Sequence, residues 1–292
     1  MPIFRETGLV AEGVYLIDTG IWGIAKQMAV YLIKSAEAIA LIDTGTKKEV
    51  ETVVKELKNL GIIAPDYILM THSHIDHSGG VFDLAKRFPQ AEIGFPHLAG
   101  TVRKEWSQKV NKWGLSNSVQ VLKEGSQIEL DSNFKLEVLE TPGHIDDHIS
   151  FLLKRQQILF VGDACGAHHL GEDFSRPSAY APYFHHEKYL QSLLRFQKLA
   201  PEGLGLASYG FATGSDAKNC IETTITDYYN WMQTVMNSVK ENPDEDYVAA
   251  VLLETFGRSP GEIQENRSDQ WIKNILKGIA RGFIYSLRLK NE

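Results

Sequence analysis

Short apolar runs alternate with amphipathic segments through the first two thirds of the chain. Runs rich in β-branched and aromatic residues predict strands, and apolar residues spaced three or four apart predict helices. Over residues 38–95 the order is strand, helix, strand, helix, strand, with the first helix over 46–60. The segment Lys135–Glu140 alternates strictly between polar and apolar residues and predicts a half-exposed strand. This succession favours a layered α/β core.

Long helical stripes replace the alternation from residue 216 onward. Helices are predicted over 216–241, 244–257 and 269–289, with Pro243 and Pro260 in the breaks between them. The last stripe also carries basic residues, so a position on a membrane surface is weighed against burial in the protein, and burial is expected. Residues 97–112 are ambiguous, with a helix the nearest fit.

Residues that can bind metal follow directly after a predicted strand at 67–70. His72, His74, Asp76 and His77 lie within six residues there. Imidazole and carboxylate donors at this density suit zinc or another divalent transition ion. The alternative is a solvated loop with scattered histidines. That reading would require several of the chain's 10 histidines to fall into this pattern by chance.

The motif His72-x-His74-x-Asp76-His77 resembles the signature of the metallo-β-lactamase-fold hydrolases. Thr141-Pro142-Gly143-His144 and Phe160-Val161-Gly162-Asp163 follow in the family's order, so the resemblance covers roughly residues 8–215. It implies a four-layer αββα sandwich, with a hydrolase core over 1–215. We expect residues 216–292 to form a C-terminal helical extension, packed on the core or at a dimer interface.

The resemblance also implies two neighbouring metal sites. His72, His74 and His144 would form the first, and Asp76, His77 and Asp163 would share in the second, with Asp163 as the bridge. Zinc is the expected metal, at one or two ions per chain, with iron or manganese as alternatives. Asp76 would also be catalytic, orienting a metal-bound hydroxide or returning a proton to the leaving group. Asp43 and His148 are expected behind the ligands.

One position departs from the family pattern. A last histidine is usual where this chain reads Ala207-Ser208-Tyr209-Gly210, and Ser208 takes its place. A serine hydroxyl is a poor zinc ligand beside imidazole, so the second site is predicted to be weaker or completed by water. Rescue by His168, His169, His148 or Tyr209 stays open. Cys165, two residues after Asp163, is expected to be a buried structural residue.

Two loops are candidates for the substrate site. The segment around Trp22 is interpreted either as a hairpin tip packed on the core or as an apolar flap over the substrate. The long loop 164–185 leaves directly from Asp163 and is expected to form a wall of the site.

Composition narrows the function classes. The net charge of −7 argues against a nucleic-acid partner. The chain has no apolar run long enough to span a bilayer and no leader pattern at residue 1. Its 2 cysteines favour reduced thiols and a cytoplasmic location. A small-molecule substrate is expected.

Hydrolysis of a small ester, thioester or lactone by a metal-bound hydroxide is the leading functional hypothesis. A phosphodiesterase or nuclease is disfavoured by the acidic charge. An iron-dependent redox protein, with oxygen or sulfur chemistry, is the alternative from another class. The oxygen reductases of this fold usually carry glutamate where this chain has His74. A binding or sensing protein that has lost turnover is the last hypothesis.

Overall fold

The computed structural model describes residues 3–98, 119–168, 174–257 and 268–288. Its first sheet has seven strands in sequence order. They are β1 Gly8–Ala11, β2 Val14–Asp18, β3 Ala29–Lys34, β4 Ile39–Ile42, β5 Tyr67–Leu69, β6 Glu92–Pro96 and β7 Val119–Leu122. Neighbours are antiparallel from β1 to β4 and parallel from β4 to β7. The parallel half directs the carboxyl ends of β4 and β5 to one edge.

The second sheet has six strands in the order β13-β12-β11-β10-β9-β8. They are β8 Gln127–Glu129, β9 Lys135–Glu140, β10 Ile149–Leu153, β11 Ile158–Phe160, β12 Gly203–Leu206 and β13 Gly210–Thr213. Only β11 and β12 pair in parallel among these strands. An apolar layer joins the two sheets, with Tyr31 and Leu69 from the first sheet and Val138, Phe151 and Phe160 from the second.

Helices cover the outer face of each sheet. The short helix α2 spans Ile75–Ser78, and α1 Val50–Asn59 and α3 Val81–Arg87 pack against the first sheet. Against the second lie α4 His186–Leu199, α5 Ser215–Glu241, α6 Glu245–Phe256 and α7 Asp269–Arg288. The four layers confirm the predicted αββα sandwich and the C-terminal helices. The first helix begins at Val50 and not at residue 46, because residues 46–49 form a turn closed by the Glu49 N–H and the Thr46 carbonyl, and the first helical hydrogen bond runs from the Val53 N–H to the Glu49 carbonyl.

The C-terminal helices share one apolar core with the second sheet. Leu159 of β11 and Leu204 of β12 belong to the same buried cluster as Trp231 of α5, Leu252 of α6 and Phe283 of α7. The apolar core is therefore continuous across residue 215. An interface with a second copy of the chain stays a prediction.

The apolar stripe of α7 is buried within the chain, at Ile272, Leu276, Ile279, Phe283 and Ile284. Its basic residues lie on the outer side, where Lys277 and Arg281 pair with Asp246 and Glu245 of α6. None of the helices in the described ranges is both long and apolar enough to cross a bilayer. The ambiguous segment 97–112 lies outside the described residues from residue 99 onward.

Candidate metal centre

The strand-to-helix turn after β5 brings three histidines to one end of the sandwich. Gly79 and Gly80 follow it, and both have ordinary right-handed φ angles of −65° and −84°. Their conformation therefore does not require glycine. The limited space around Gly80 does require glycine, because a Cβ there would lie 2.9 Å from Val50 Cγ2 and 3.0 Å from the Thr44 carbonyl oxygen. Glycine lets the turn press directly onto the start of α1.

Three imidazole nitrogens converge at this turn. His74 Nδ1 lies 3.1 Å from His72 Nε2 and 2.8 Å from His144 Nε2. A tetrahedral zinc site with Zn–N bonds of about 2.0–2.1 Å separates its nitrogens by roughly 3.3–3.4 Å. His72 and His144 are fully buried, whereas His74 is partly exposed. The two distances from His74 Nδ1 are shorter than the tetrahedral separation, and the three nitrogens lie close enough together to share one ion.

Hydrogen bonds behind the rings decide which nitrogen each histidine presents. His144 Nδ1 donates to the Ser178 carbonyl at 2.6 Å, and His77 Nδ1 donates to Asp43 Oδ2 at 2.7 Å. His72 Nδ1 lies 3.0 Å from Thr71 Oγ1, and that hydroxyl donates to Asp43. Because these Nδ1 atoms carry the protons, the Nε2 lone pairs are free for a metal. Asp43 thus lies behind the predicted ligand His77 and contacts His72 through Thr71.

Asp163 lies between the two predicted sites. Its Oδ2 is 3.4 Å from His144 Nε2, and its Oδ1 is 3.5 Å from His77 Nε2. A second set of mutually close donors consists of His72, His77 and Asp163. Asp76 stands outside this set, with Oδ2 3.9 Å from His77 Nε2 and a side chain 30% exposed. The Asp163 carboxylate therefore has one oxygen for each site, and Asp76 borders the second.

His148 supports Asp163 from behind. The Asp163 backbone N–H donates to His148 Nε2 at 3.1 Å, and His148 Nδ1 lies 2.9 Å from Thr141 Oγ1. His148 Nε2 is thus an acceptor already in use. Gly162 has φ +51°, and a Cβ there would approach His148 Nε2 to 2.6 Å. Glycine at this position leaves room for the His148 ring. The sequence analysis did not predict this, although the place of Gly162 between a strand and a predicted ligand was a signal.

Ser208 reaches the site, but the described residues proposed to replace the missing histidine do not. Ser208 Oγ lies 3.5 Å from Asp163 Oδ1. The His168 ring instead contacts Thr224 Oγ1, at 3.0 Å. The Tyr209 ring is buried between the sheets, and its hydroxyl donates to the Arg5 carbonyl. His169 lies outside the described residues.

Burial and neighbouring charge shift the pKa values of the histidines in different directions. Burial lowers the pKa of His72 and His148, and the adjacent imidazoles add to this effect. Burial and His144 lower the pKa of His74 to about 3. Burial also opposes the charged form of His77, but Asp163, Asp43 and Asp76 together raise its pKa well above the usual range. Neutral imidazoles at His72 and His74 are the protonation state that metal binding needs.

Burial and neighbouring charge also shift the pKa values of the two carboxylates and of the thiol of Cys165. Burial favours the neutral form of Asp163, yet His77 and His144 hold its pKa well below the usual range. Burial raises the pKa of Asp76, and Asp163 raises it further against the opposing effect of His77. Burial raises the pKa of Cys165 to about 12, and this fully buried thiol lies 3.6 Å from Thr224 Oγ1. Cys165 therefore belongs to the core.

A cavity of about 450 Å³ opens on the metal centre. Asp76, Asp163 and Ser208 line its polar end. The rest is largely apolar and comes from three parts of the chain: Ile21, Trp22 and Met28; Ala167, Pro177 and Tyr180 of the loop; and Trp271, Ile275 and Ile279 of α7. Ile21 is buried in the core while Trp22 is 63% exposed, so this segment both packs inward and borders the cavity. Sequence reasoning missed the contribution of α7.

The profile of the metallo-beta-lactamase superfamily matches residues 25–204. The chain therefore belongs to this superfamily. Its described fold is also similar to a metallo-beta-lactamase family protein from Thermus thermophilus. That likeness has a TM-score of 0.68 and 19% identity, and it covers 97% of this chain and 95% of the other.

Relatives in the superfamily include hydrolases. A hydroxyacylglutathione hydrolase of Vibrio vulnificus is 29% identical, over 66% of this chain and 72% of that protein. An atrochrysone carboxyl ACP thioesterase of Aspergillus fumigatus is 24% identical, over 89% of this chain and 78% of that protein. A lactamase-like protein of Pestalotiopsis microspora is 32% identical, but the match spans only 46% of this chain and 37% of that protein.

Proposed function

We propose that this protein is a zinc-dependent hydrolase of a small ester, thioester or lactone. The observation that carries the proposal is the convergence of three imidazoles at the end of a cavity, where His74 Nδ1 lies within 3.1 Å of the Nε2 atoms of His72 and His144. Hydroxyacylglutathione hydrolase and ACP thioesterase relatives support a thioester or ester as the bond cleaved.

The residues present fit a zinc centre. His72, His74 and His144 would hold one ion, and His77 with Asp163 would hold a second. Zinc bound there would lower the pKa of a water molecule and polarise the substrate carbonyl. Asp43 keeps the proton of His77 on Nδ1, and Ser178 does the same for His144. The protein's contribution is thus to fix the donor atoms before any ligand arrives.

Asp76 is the group we assign to proton transfer. It borders the polar end of the cavity, and its partly exposed carboxylate faces His77 and not the first site. Its Oδ2 can accept a proton from the attacking water and pass it to the leaving alkoxide or thiolate. Trp22 and Met28 offer apolar contact to the rest of the substrate.

Imidazole at His74 argues against the redox alternative. The first site has three nitrogen donors at His72, His74 and His144, a set that suits zinc. The acidic net charge of −7 also argues against a nucleic-acid substrate.

We further propose a cytoplasmic location, supported by two free cysteines, Cys165 and Cys220.

The test combines metal analysis with turnover. Protein purified without added metal is analysed for zinc, iron and manganese, then assayed with ester, thioester and lactone panels. We expect zinc, hydrolysis of an ester or thioester, and loss of both zinc and activity in His144→Ala. His185→Ala is the matched control, because its ring pairs with Asp146 near the surface and not with the metal donors. Wild-type turnover in His144→Ala at equal metal content would contradict the proposal, and iron with no hydrolysis would favour redox chemistry.

A further inference from the structure

Helix α7 forms one wall of the cavity. Trp271, Ile275 and Ile279 recur every four residues, so they lie in one row along the helix. All three are uncharged and face the same cavity as Asp76 and Asp163. The cavity therefore has an acidic, metal-binding end and an apolar side.

Close packing fixes this wall in place. A Cβ on Gly282 would lie 2.4 Å from the Ala179 carbonyl oxygen, and a Cβ on Gly278 would lie 3.2 Å from the Tyr180 ring. The helix therefore presses directly on the loop whose Ser178 carbonyl holds His144. Salt bridges from Lys277 and Arg281 to α6 secure its outer side. A substrate would meet a preformed surface here.

Other parts of the chain also contribute apolar residues to the cavity. Ile21 and Met28 belong to the buried core and also border the cavity. Arg176 is the basic residue among the described lining residues, and it is only 2% exposed. Its guanidinium lies 5.7 Å from the Phe174 ring. The accessible surface away from the metal end is thus mostly hydrocarbon.

We propose that α7 is the acyl-binding wall of the enzyme and that Ile275 is its specificity-determining residue. The substrate class is a thioester or ester with an unbranched apolar acyl chain, whose carbonyl lies at the metal end and whose chain lies along α7. A cavity of about 450 Å³ is within the usual range for small-molecule sites, about 300–1,000 Å³. This inference rests on the proposed hydrolysis and adds the identity of the acyl group.

A chain-length series tests the proposal in two ways. Straight-chain acyl thioesters from acetyl upward are assayed for kcat/KM. Methyl ketones with the same chains, which have the carbonyl but no cleavable bond, are assayed for binding by calorimetry. For the wild type we expect both quantities to improve about fourfold per methylene, the equivalent of about 0.8 kcal/mol, until the cavity is full.

Larger and smaller side chains at Ile275 should change the longest acyl chain that the cavity accepts, in opposite directions. Ile275 is only half buried, so a larger side chain there can be accommodated. Ile275→Trp should shorten the preferred acyl chain by several carbons, and Ile275→Ala should lengthen it. Asn274→Phe is the matched control, because it adds a large side chain on the exposed side of the same helix.

The outcomes separate the two proposals. Thioester hydrolysis with the same length profile in wild type and both Ile275 variants would overturn the acyl-binding wall and leave the hydrolysis standing. Length-dependent ketone binding that Ile275→Trp abolishes, without turnover of any acyl substrate, would overturn the hydrolysis and support the wall. Ketone binding independent of chain length would also overturn the wall.

Discussion

Replacing Asp43 with asparagine should weaken the metal site at His77 selectively. The Asp43 carboxylate accepts hydrogen bonds from the Thr71 N–H at 2.8 Å, the Thr71 hydroxyl at 2.9 Å and His77 Nδ1 at 2.7 Å. Asparagine keeps the shape but exchanges one acceptor oxygen for an NH₂ donor. Whichever way the amide turns, a donor then faces either the His77 Nδ1–H or the Thr71 N–H.

The size of the effect follows from the lost bond. A hydrogen bond to a charged group contributes about 1.5–3 kcal/mol, or roughly 10- to 150-fold in an equilibrium constant. His77 can escape the clash by moving its proton to Nε2, but that nitrogen then cannot bind metal. In the first site, Asp43 reaches His72 only through the Thr71 hydroxyl, and His144 is oriented by Ser178. We therefore expect the Kd of the ion at His77 to rise about 10- to 150-fold, and that of the other ion to rise less.

Competition with a chromophoric chelator measures both affinities. Asp131→Asn is the matched control, because Asp131 is also a buried carboxylate that accepts backbone N–H groups, from Ala36, Asn133 and Phe134. Circular dichroism establishes that each variant is folded. A folded Asp43→Asn protein that holds both ions as tightly as the wild type would refute the orientation argument. Equal weakening in the control would show a general loss of stability instead.

Three further predictions follow from the site and the core. Ser208→His should raise the affinity for the second ion, because Ser208 Oγ already lies 3.5 Å from Asp163 Oδ1; an unchanged affinity for that ion in a chelator titration of the variant would contradict this. Trp22→Ala should raise KM more than it lowers kcat, since an exposed cavity residue contributes contact to substrate and transition state alike; an unchanged KM would remove Trp22 from the substrate site. Deleting residues 268–292 should give aggregated protein, because it uncovers the cluster around Trp231 and Leu252; a monomeric, folded truncation in size-exclusion chromatography would show that α7 is dispensable to the core.

Much of the fold and the histidine cluster after β5 could be predicted because their signals are local. Strand and helix periods fall within single segments, and the alternation over 38–95 defines a layered core. His72, His74 and His77 lie in one turn after one strand, so their proximity needs no knowledge of distant contacts. The pattern of Lys135–Glu140 likewise predicted β9 with its bounds.

The support of the ligands and the shape of the cavity were decided by tertiary structure. Which nitrogen His144 presents depends on the Ser178 carbonyl, and the position of Asp163 depends on His148. Contacts of this kind join different strands and loops, and no period in the sequence records them. The same holds for His168, which the sequence left as a candidate ligand and which packing directs to Thr224.

The sequence by itself determined the family motif, the layers and the ligand types, because each is written in residues close along the chain. Only the tertiary structure placed α7 beside the metal centre. Its stripe is continuous in sequence, yet Ile272 and Phe283 face the core while Ile275 and Trp271 face the cavity. The neighbouring loop packs directly on the helix at Gly278 and Gly282, and this contact joins segments far apart along the chain, which no sequence period records.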